Sequence, residues 1–112
     1  TGRVRAATPH LAVSGNLKPE LNGCWEPRTD QVNGKDSWSK EGYLLYWCGT
    51  CCSAERWIME SSSGSTEDCN YVSRINGAGN TPPASGTWST KVGSSWQSDG
   101  GVSVTQGSGS AV

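Results

Sequence analysis

Cysteine is the residue type here best equipped for chemistry, with Cys24, Cys48, Cys51, Cys52 and Cys69 in the chain and three of the five inside Cys48-Gly49-Thr50-Cys51-Cys52. As a Cys-x-x-Cys redox pair, Cys48 and Cys51 would need a thiolate favoured by a helix N-terminus or a nearby cation, normally in a βαβ setting. The flanking sequence offers no such helix. As a zinc site, Cys48, Cys51 and Cys69 with either Cys24 or His10 could supply four ligands. Structural zinc sites, however, are usually built from two closely spaced pairs, and only one is present. The remaining chemistry is plain bridging. One thiol is left over, and about fifteen frameworks are open. A bridge between adjacent Cys51 and Cys52 strains the peptide joining them. Pairing Cys48 with Cys69 closes a loop of roughly 20 residues, worth about 3 kcal/mol on the chain-entropy model. The preferred set is Cys48 with Cys69 and Cys24 with Cys52, which leaves Cys51 as a free or interchain thiol.

Other reactive constellations are weaker. His10 is the sole histidine, and one histidine makes a base, nucleophile and orienter set only if carboxylates and a hydroxyl converge on it. Glu26, Arg28 and Asp30 alternate as on a solvated strand face, and a metal there would need further ligands. Glu26, Asp30, Glu41, Glu55, Asp68 and Asp99 show no spacing that specifies paired carboxylates. We expect no enzyme, no metal and no cofactor. Trp38, Trp88 and Trp96 sit among Asn, Gln, Ser and Asp, the composition of a sugar-stacking surface or of a core lined by amphipathic rings.

These residues must be positioned by a small framework. The chain has 112 residues, 33% of them hydrophobic, with 15 Gly, six Trp, three Tyr and no Phe. Frequent turn residues and few sustained helix formers predict short strands. The fold class expected is all-β: a small, disulfide-stapled antiparallel sandwich or barrel-like module. Net charge is −1 and the pI near 5.7, with no basic cluster longer than the Arg3/Arg5 pair, so nucleic acid is not expected as a partner. No apolar run approaches the roughly 20 residues of a spanning helix, so this segment is not expected to insert in a membrane. A chain starting at Thr1 fits a processed product or an excerpt of a longer protein. Five cysteines in so short a chain point to an oxidising, extracellular or cell-surface setting.

Along the chain, residues 1–16 read as a linker or edge strand, 17–106 as one β module and 107–112 as a linker-like tail. Residues 42–60 form the expected central hairpin. In its first strand Leu44, Tyr46 and Cys48 alternate with Tyr43, Leu45 and Trp47, apolar on both faces. In the returning strand Trp57 and Met59 should face inward and Arg56, Ile58 and Glu60 outward, followed by an exposed loop over 61–67. Asn22-Gly23, Asn33-Gly34 and Asn76-Gly77 suggest three tight corners. Residues 70–75 read as a strand with Tyr71 and Ile75 on one face. Trp88 and Trp96 should lie on two strands flanking a turn at Gly93, with Val102 and Val104 completing the core.

The order Leu21-Asn22-Gly23 before Trp25 and Glu26, then Asn33-Gly34-Lys35 before Trp38, Tyr43-Leu44, Cys48, Trp57-Ile58, Cys69, Pro82-Pro83 and Trp88 resembles a repeat found, often in tandem, in large secreted or surface proteins of unicellular algae and other marine protists. The resemblance spans most of residues 13–104. Cys24, Cys51 and Cys52 depart from its pattern, and it implies no catalytic residue. Together these readings predict a non-catalytic extracellular structural or adhesive module that docks to neighbouring repeats or identical chains. A carbohydrate-binding module is the alternative, with Trp38, Trp88, Trp96, Tyr43 and Trp47 as the partner or ligand surface.

Overall fold

The computed structural model describes residues 8–49, 54–61 and 71–106. They form nine strands: β1 Leu11–Ser14, β2 Gly23–Pro27, β3 Trp38–Lys40, β4 Tyr43–Cys48, β5 Arg56–Ser61, β6 Ser73–Asn76, β7 Trp88–Val92, β8 Ser95–Asp99 and β9 Ser103–Gln106, with one 3-10 turn at Pro19–Leu21. The all-β expectation holds. The strands β1 to β8 pair in chain order, each antiparallel to the next, and β9 returns to pair with β1. The result is a single sheet curled into a half-barrel.

Turn chemistry explains several corners. Asn33 (φ 54°) and Gly34 (φ 85°) make a two-residue turn closed by Val32 and Lys35, whose amides and carbonyls bond reciprocally at 2.9 and 3.1 Å. Glu41 (φ 30°) and Gly42 (φ 89°) join β3 to β4 in the same way. Positive φ at both central residues gives the twist that hairpin strands need. The other two Asn-Gly steps are not such corners. Gly23 opens β2 and Asn76 closes β6, while the Asn22 side chain accepts the Asn16 amide at 2.8 Å and donates to the Asn16 carbonyl at 3.2 Å.

Period-2 alternation divides the sheet into two apolar faces. The inner cluster gathers Leu11, Val13, Trp25, Trp38, Leu45, Trp57, Met59, Ile75, Trp88, Val102 and Val104. It unites strands from both ends of the sheet, as a curled sheet's concave side must. Trp38 and Trp57, on the strands flanking β4, lie 5.9 Å apart at 53°, a tilted geometry that favours aromatic pairs. The outer cluster holds Tyr46, Cys48, Ile58 and Tyr71, with Val32 and Leu44 packed against it. Both apolar faces read from β4 are therefore covered.

Three expectations change. β1 is not an edge or a linker: it lies between β2 and β9, with Leu11 and Val13 in the core. On β5 the outward face is buried too, since Ile58 and Glu60 are fully buried and Tyr46 donates its hydroxyl to the Glu60 carboxylate. Tyr71 and Ile75 do not share a face. Regular pairing of β6 begins at Ser73, and Tyr71, upstream of it, joins the outer cluster while Ile75 joins the inner one.

Polar groups hold the curl. Asn16 Nδ2 donates to Ser73 Oγ at 3.2 Å, Ser73 Oγ and Thr90 Oγ1 share a hydrogen bond at 2.9 Å, and Asp99 Oδ2 accepts Thr90 Oγ1 at 2.9 Å and the Leu17 amide at 2.8 Å. These four side chains are buried. They connect the segment after β1 to β6, β7 and β8, strands far from β1 in the sheet order, so the network bridges the half-barrel across its interior. Buried polar groups are tolerated when satisfied in this way.

Candidate functional site

The outer face of β5 to β8 carries charge that no carboxylate among the described residues pairs with. Cross-strand register sets Arg56 opposite Asn76, Arg74 opposite Ile58 and Ser89, and Lys91 opposite Trp96. The Tyr71 hydroxyl oxygen accepts hydrogen bonds from Arg56 Nη1 at 2.5 Å and from Arg74 Nη1 at 2.8 Å. The two donor nitrogens therefore lie within about 5.3 Å of each other, the sum of the two bonds. At that separation two guanidinium charges repel by about 1–3 kcal/mol, depending on solvent screening. Among the described residues neither arginine has a carboxylate within ion-pair distance; the salt bridges there join Lys18 to Glu20, Arg28 to Asp30 and Lys40 to Glu41.

Each arginine is nonetheless held in place. Arg56 Nε donates to Asn76 Oδ1 at 3.2 Å, which fixes its fork across the strand pair. Arg74 lies over the Trp96 ring, 4.5 Å from the centroid, and over Tyr71 at 5.4 Å. Tyr71 and Trp96 themselves meet at 5.5 Å and 60°. Stacking of this kind orients a guanidinium while leaving in-plane N–H donors available. Trp96 stays 39% exposed, so the ring stabilises Arg74 without leaving the surface. Beside the arginines opens a cleft of about 380 Å³, lined further by Asn76, Ser85, Thr87 and Ser89, with Pro83 and Gly86 in its wall. It combines two cations with hydroxyl and amide groups.

The residues singled out from sequence are dispersed. Trp38 and Trp88 are fully buried in the inner core, where the pleat directs them, and so cannot belong to a ligand surface. Trp47 is half-buried, donates its indole N–H to the Gly77 carbonyl at 2.9 Å and lies under Lys35 Nζ at 4.6 Å. Tyr43 is half-buried with its hydroxyl 3.4 Å from Glu20 Oε2. Of the five, Trp96 alone belongs to the cationic face.

The cysteines divide as well. Cys24 is an exposed free thiol, so its pairing with Cys52 is not formed. Continuing the β2–β3 and β3–β4 pairings sets Cys24 level with Gly42, roughly 20 Å along β4 from Cys48 at about 3.4 Å per residue. Cys48 is buried. Cys51, Cys52 and Cys69 lie outside the described residues, and with them the Cys48–Cys69 pairing and the spare thiol at Cys51. No group of three His, Cys, Asp or Glu side chains that could hold a metal converges among the described residues.

Arg56, Arg74 and Tyr71 were not singled out as site residues from sequence, where Arg56 reads as outward on its strand and Tyr71 as sharing a face with Ile75, opposite Arg74. A signal was present, since residues 69–98 contain Arg74 and Lys91 but no Asp or Glu. No family model, curated protein or solved structure matches this chain.

Proposed function

We propose that the chain is a non-catalytic adhesive module of a secreted or cell-surface protein, one repeat of a larger assembly, and that it attaches through the outer face of β5 to β8. The observation that carries this reading is the pair of guanidinium groups held on one tyrosine oxygen beside an exposed indole, with no described carboxylate to neutralise them. A surface so arranged is complementary to a charged partner. Its rigid presentation limits the ordering cost of binding. The two carboxylates buried among the described residues, Asp99 and Glu60, are engaged in bonds that brace the sheet, which supports a framework role over acid-base chemistry. Five cysteines in 112 residues support an oxidising compartment, where stapling would reinforce a thin core.

Beads coated with the chain should adhere to an extracellular matrix preparation of its source organism. Retention should fall when Arg56→Gln, Arg74→Gln or Trp96→Ala is introduced, and should persist with Lys40→Gln on β3. Equal retention of all variants would refute this face as the point of attachment.

Docking between identical copies is the second reading, favoured by β8, which ends the sheet with exposed Ser95, Trp96, Gln97 and Ser98. Such an edge can accept another strand. Light scattering at millimolar concentration should then show a dimer or larger species, and a strict monomer would set this reading aside. The β4–β5 hairpin is a poorer docking surface than its sequence suggests, because its outer face is already buried.

A further inference from the structure

We infer that the cleft between β5, β6 and β7 takes an acidic glycan, a polysaccharide bearing sulfate or carboxylate groups, with the anionic group seated between Arg56 and Arg74. This rests on the adhesive reading of the same face and names its ligand class.

The arginines supply the first part of the recognition. Their Nη1 atoms converge on Tyr71 Oη, and Arg56 Nε is committed to Asn76. The remaining N–H donors of two guanidinium groups border a cleft with no described carboxylate in its lining. A planar carboxylate or a sulfate matches such forks bidentately and relieves the repulsion between them.

The cleft supplies the second part. Asn76, Ser85, Thr87 and Ser89 offer amide and hydroxyl groups to sugar hydroxyls, and Trp96, partly exposed and stacked on the cleft-lining Arg74, offers ring surface beside that arginine. A polar cleft with one ring beside it suits a polyhydroxylated chain better than an apolar peptide or an acyl tail. Nucleic acid fits less well, because a net charge of −1 and only Arg56, Arg74 and Lys91 on this face give little to track a phosphate backbone.

Binding of dextran sulfate, alginate and unmodified dextran can be compared by isothermal calorimetry at low and moderate salt. Dextran sulfate or alginate should bind and dextran should not, with affinity falling as salt rises. Arg56→Gln and Arg74→Gln should each weaken binding at least tenfold, Arg74→Lys less, and Lys40→Gln not at all. A short sulfated or uronic oligosaccharide should shift the Trp96 indole N–H signal in NMR spectra of the unmodified chain, a readout independent of how any variant folds. Polyphosphate and phosphatidylserine vesicles serve as the other anionic classes. Equal binding to either would overturn the glycan assignment, as would no binding to both acidic polymers, or binding indifferent to the arginine substitutions. If the bead assay still depends on Arg56 and Arg74 while both acidic polymers fail to bind, the ligand class falls and the adhesive reading stands. If the bead assay is indifferent to them, the adhesive reading falls.

Discussion

Asp99→Ala tests whether the interior polar network holds the half-barrel closed. One oxygen of Asp99 accepts the Leu17 amide at 2.8 Å and the Thr90 hydroxyl at 2.9 Å. Hydrogen bonds to a charged acceptor contribute about 1.5–3 kcal/mol each, and stranding a buried donor adds about 1–3 kcal/mol. Thr90 keeps Ser73 at 2.9 Å and loses only part of its bonding. The Leu17 amide has no second acceptor described. The expected loss is therefore about 3–5 kcal/mol, supplied mainly by the two bonds to the charged acceptor. For a chain of 112 residues, an unfolding entropy of about 2.1 cal/mol/K per residue makes each kcal/mol worth about 4 °C, so the melting temperature should drop by roughly 12–20 °C. Asp99→Asn retains an acceptor oxygen and loses only the charge, so it should cost about 1–2 kcal/mol. Urea titrations of the three proteins, with slopes compared to confirm similar exposed surface, measure both values. Amide exchange at Leu17 should accelerate in the alanine variant. A cost below about 1 kcal/mol for Asp99→Ala, or equal costs for the two substitutions, would refute the network as a clamp.

Three further outcomes follow from local geometry. A Cβ at Gly15 (φ 79°) would lie 2.0 Å from the Gly101 carbonyl oxygen, whereas one at Gly42 (φ 89°) meets nothing within 4 Å. Gly42→Ala should thus cost only the left-handed backbone penalty of about 1–2 kcal/mol, while Gly15→Ala should lose more by denaturant titration or fail to fold; equal costs would contradict the close approach. Cys24 should react with a maleimide in the native protein, as peptide mapping would show, and protection until denaturation would contradict the free exposed thiol. Hydrogen bonding to its own backbone, and then Lys18, holds the Glu20 carboxyl below the usual carboxylate range. A lowered folded value means that the small stabilisation is present above the unfolded value and is lost as pH falls through the folded one. Carbon-detected NMR should place the Glu20 midpoint below 4.5 and move it only partway back in Lys18→Gln, because the backbone bond is the larger cause.

The hairpin at β4 and β5 was legible because its signal is local. Six alternating residues with apolar side chains on both faces require cover on both sides, and the sheet provides it. The Asn33-Gly34 and Gly93 corners follow from similarly short-range chemistry. What could not be read depends on the curl. Residue periodicity cannot distinguish Trp38 and Trp88, which face inward, from Trp96, which stays at the surface, since all three sit in similar polar sequence. Strand register separates them: Trp38 lies opposite the buried Leu45 and Trp88 opposite the buried Asp99, whereas Trp96 lies opposite Lys91. The pairing of Arg56 with Arg74 has the same origin. The two are 18 positions apart in sequence and become neighbours only through the antiparallel register of β5 and β6 and the displacement of Tyr71 from the strand alternation.

The position of the cationic face follows from where apolar cover ends. From β4 to β5 the outer surface is sealed by Tyr46, Cys48, Ile58 and Tyr71. From β6 onward the outward residues are Arg74, Ser89, Lys91, Ser98 and Trp96, none able to build a second core. Tyr71 stands at that boundary: its ring packs with the outer cluster while its hydroxyl orients both guanidinium groups. Anchoring on a buried residue is what makes the arginines a preorganised pair, since two exposed long side chains would otherwise separate to relieve their repulsion. Tyr71→Phe would therefore keep the ring packing and release the arginines from each other. Its effect on ligand binding should exceed its effect on stability, whereas a merely structural tyrosine would show the reverse.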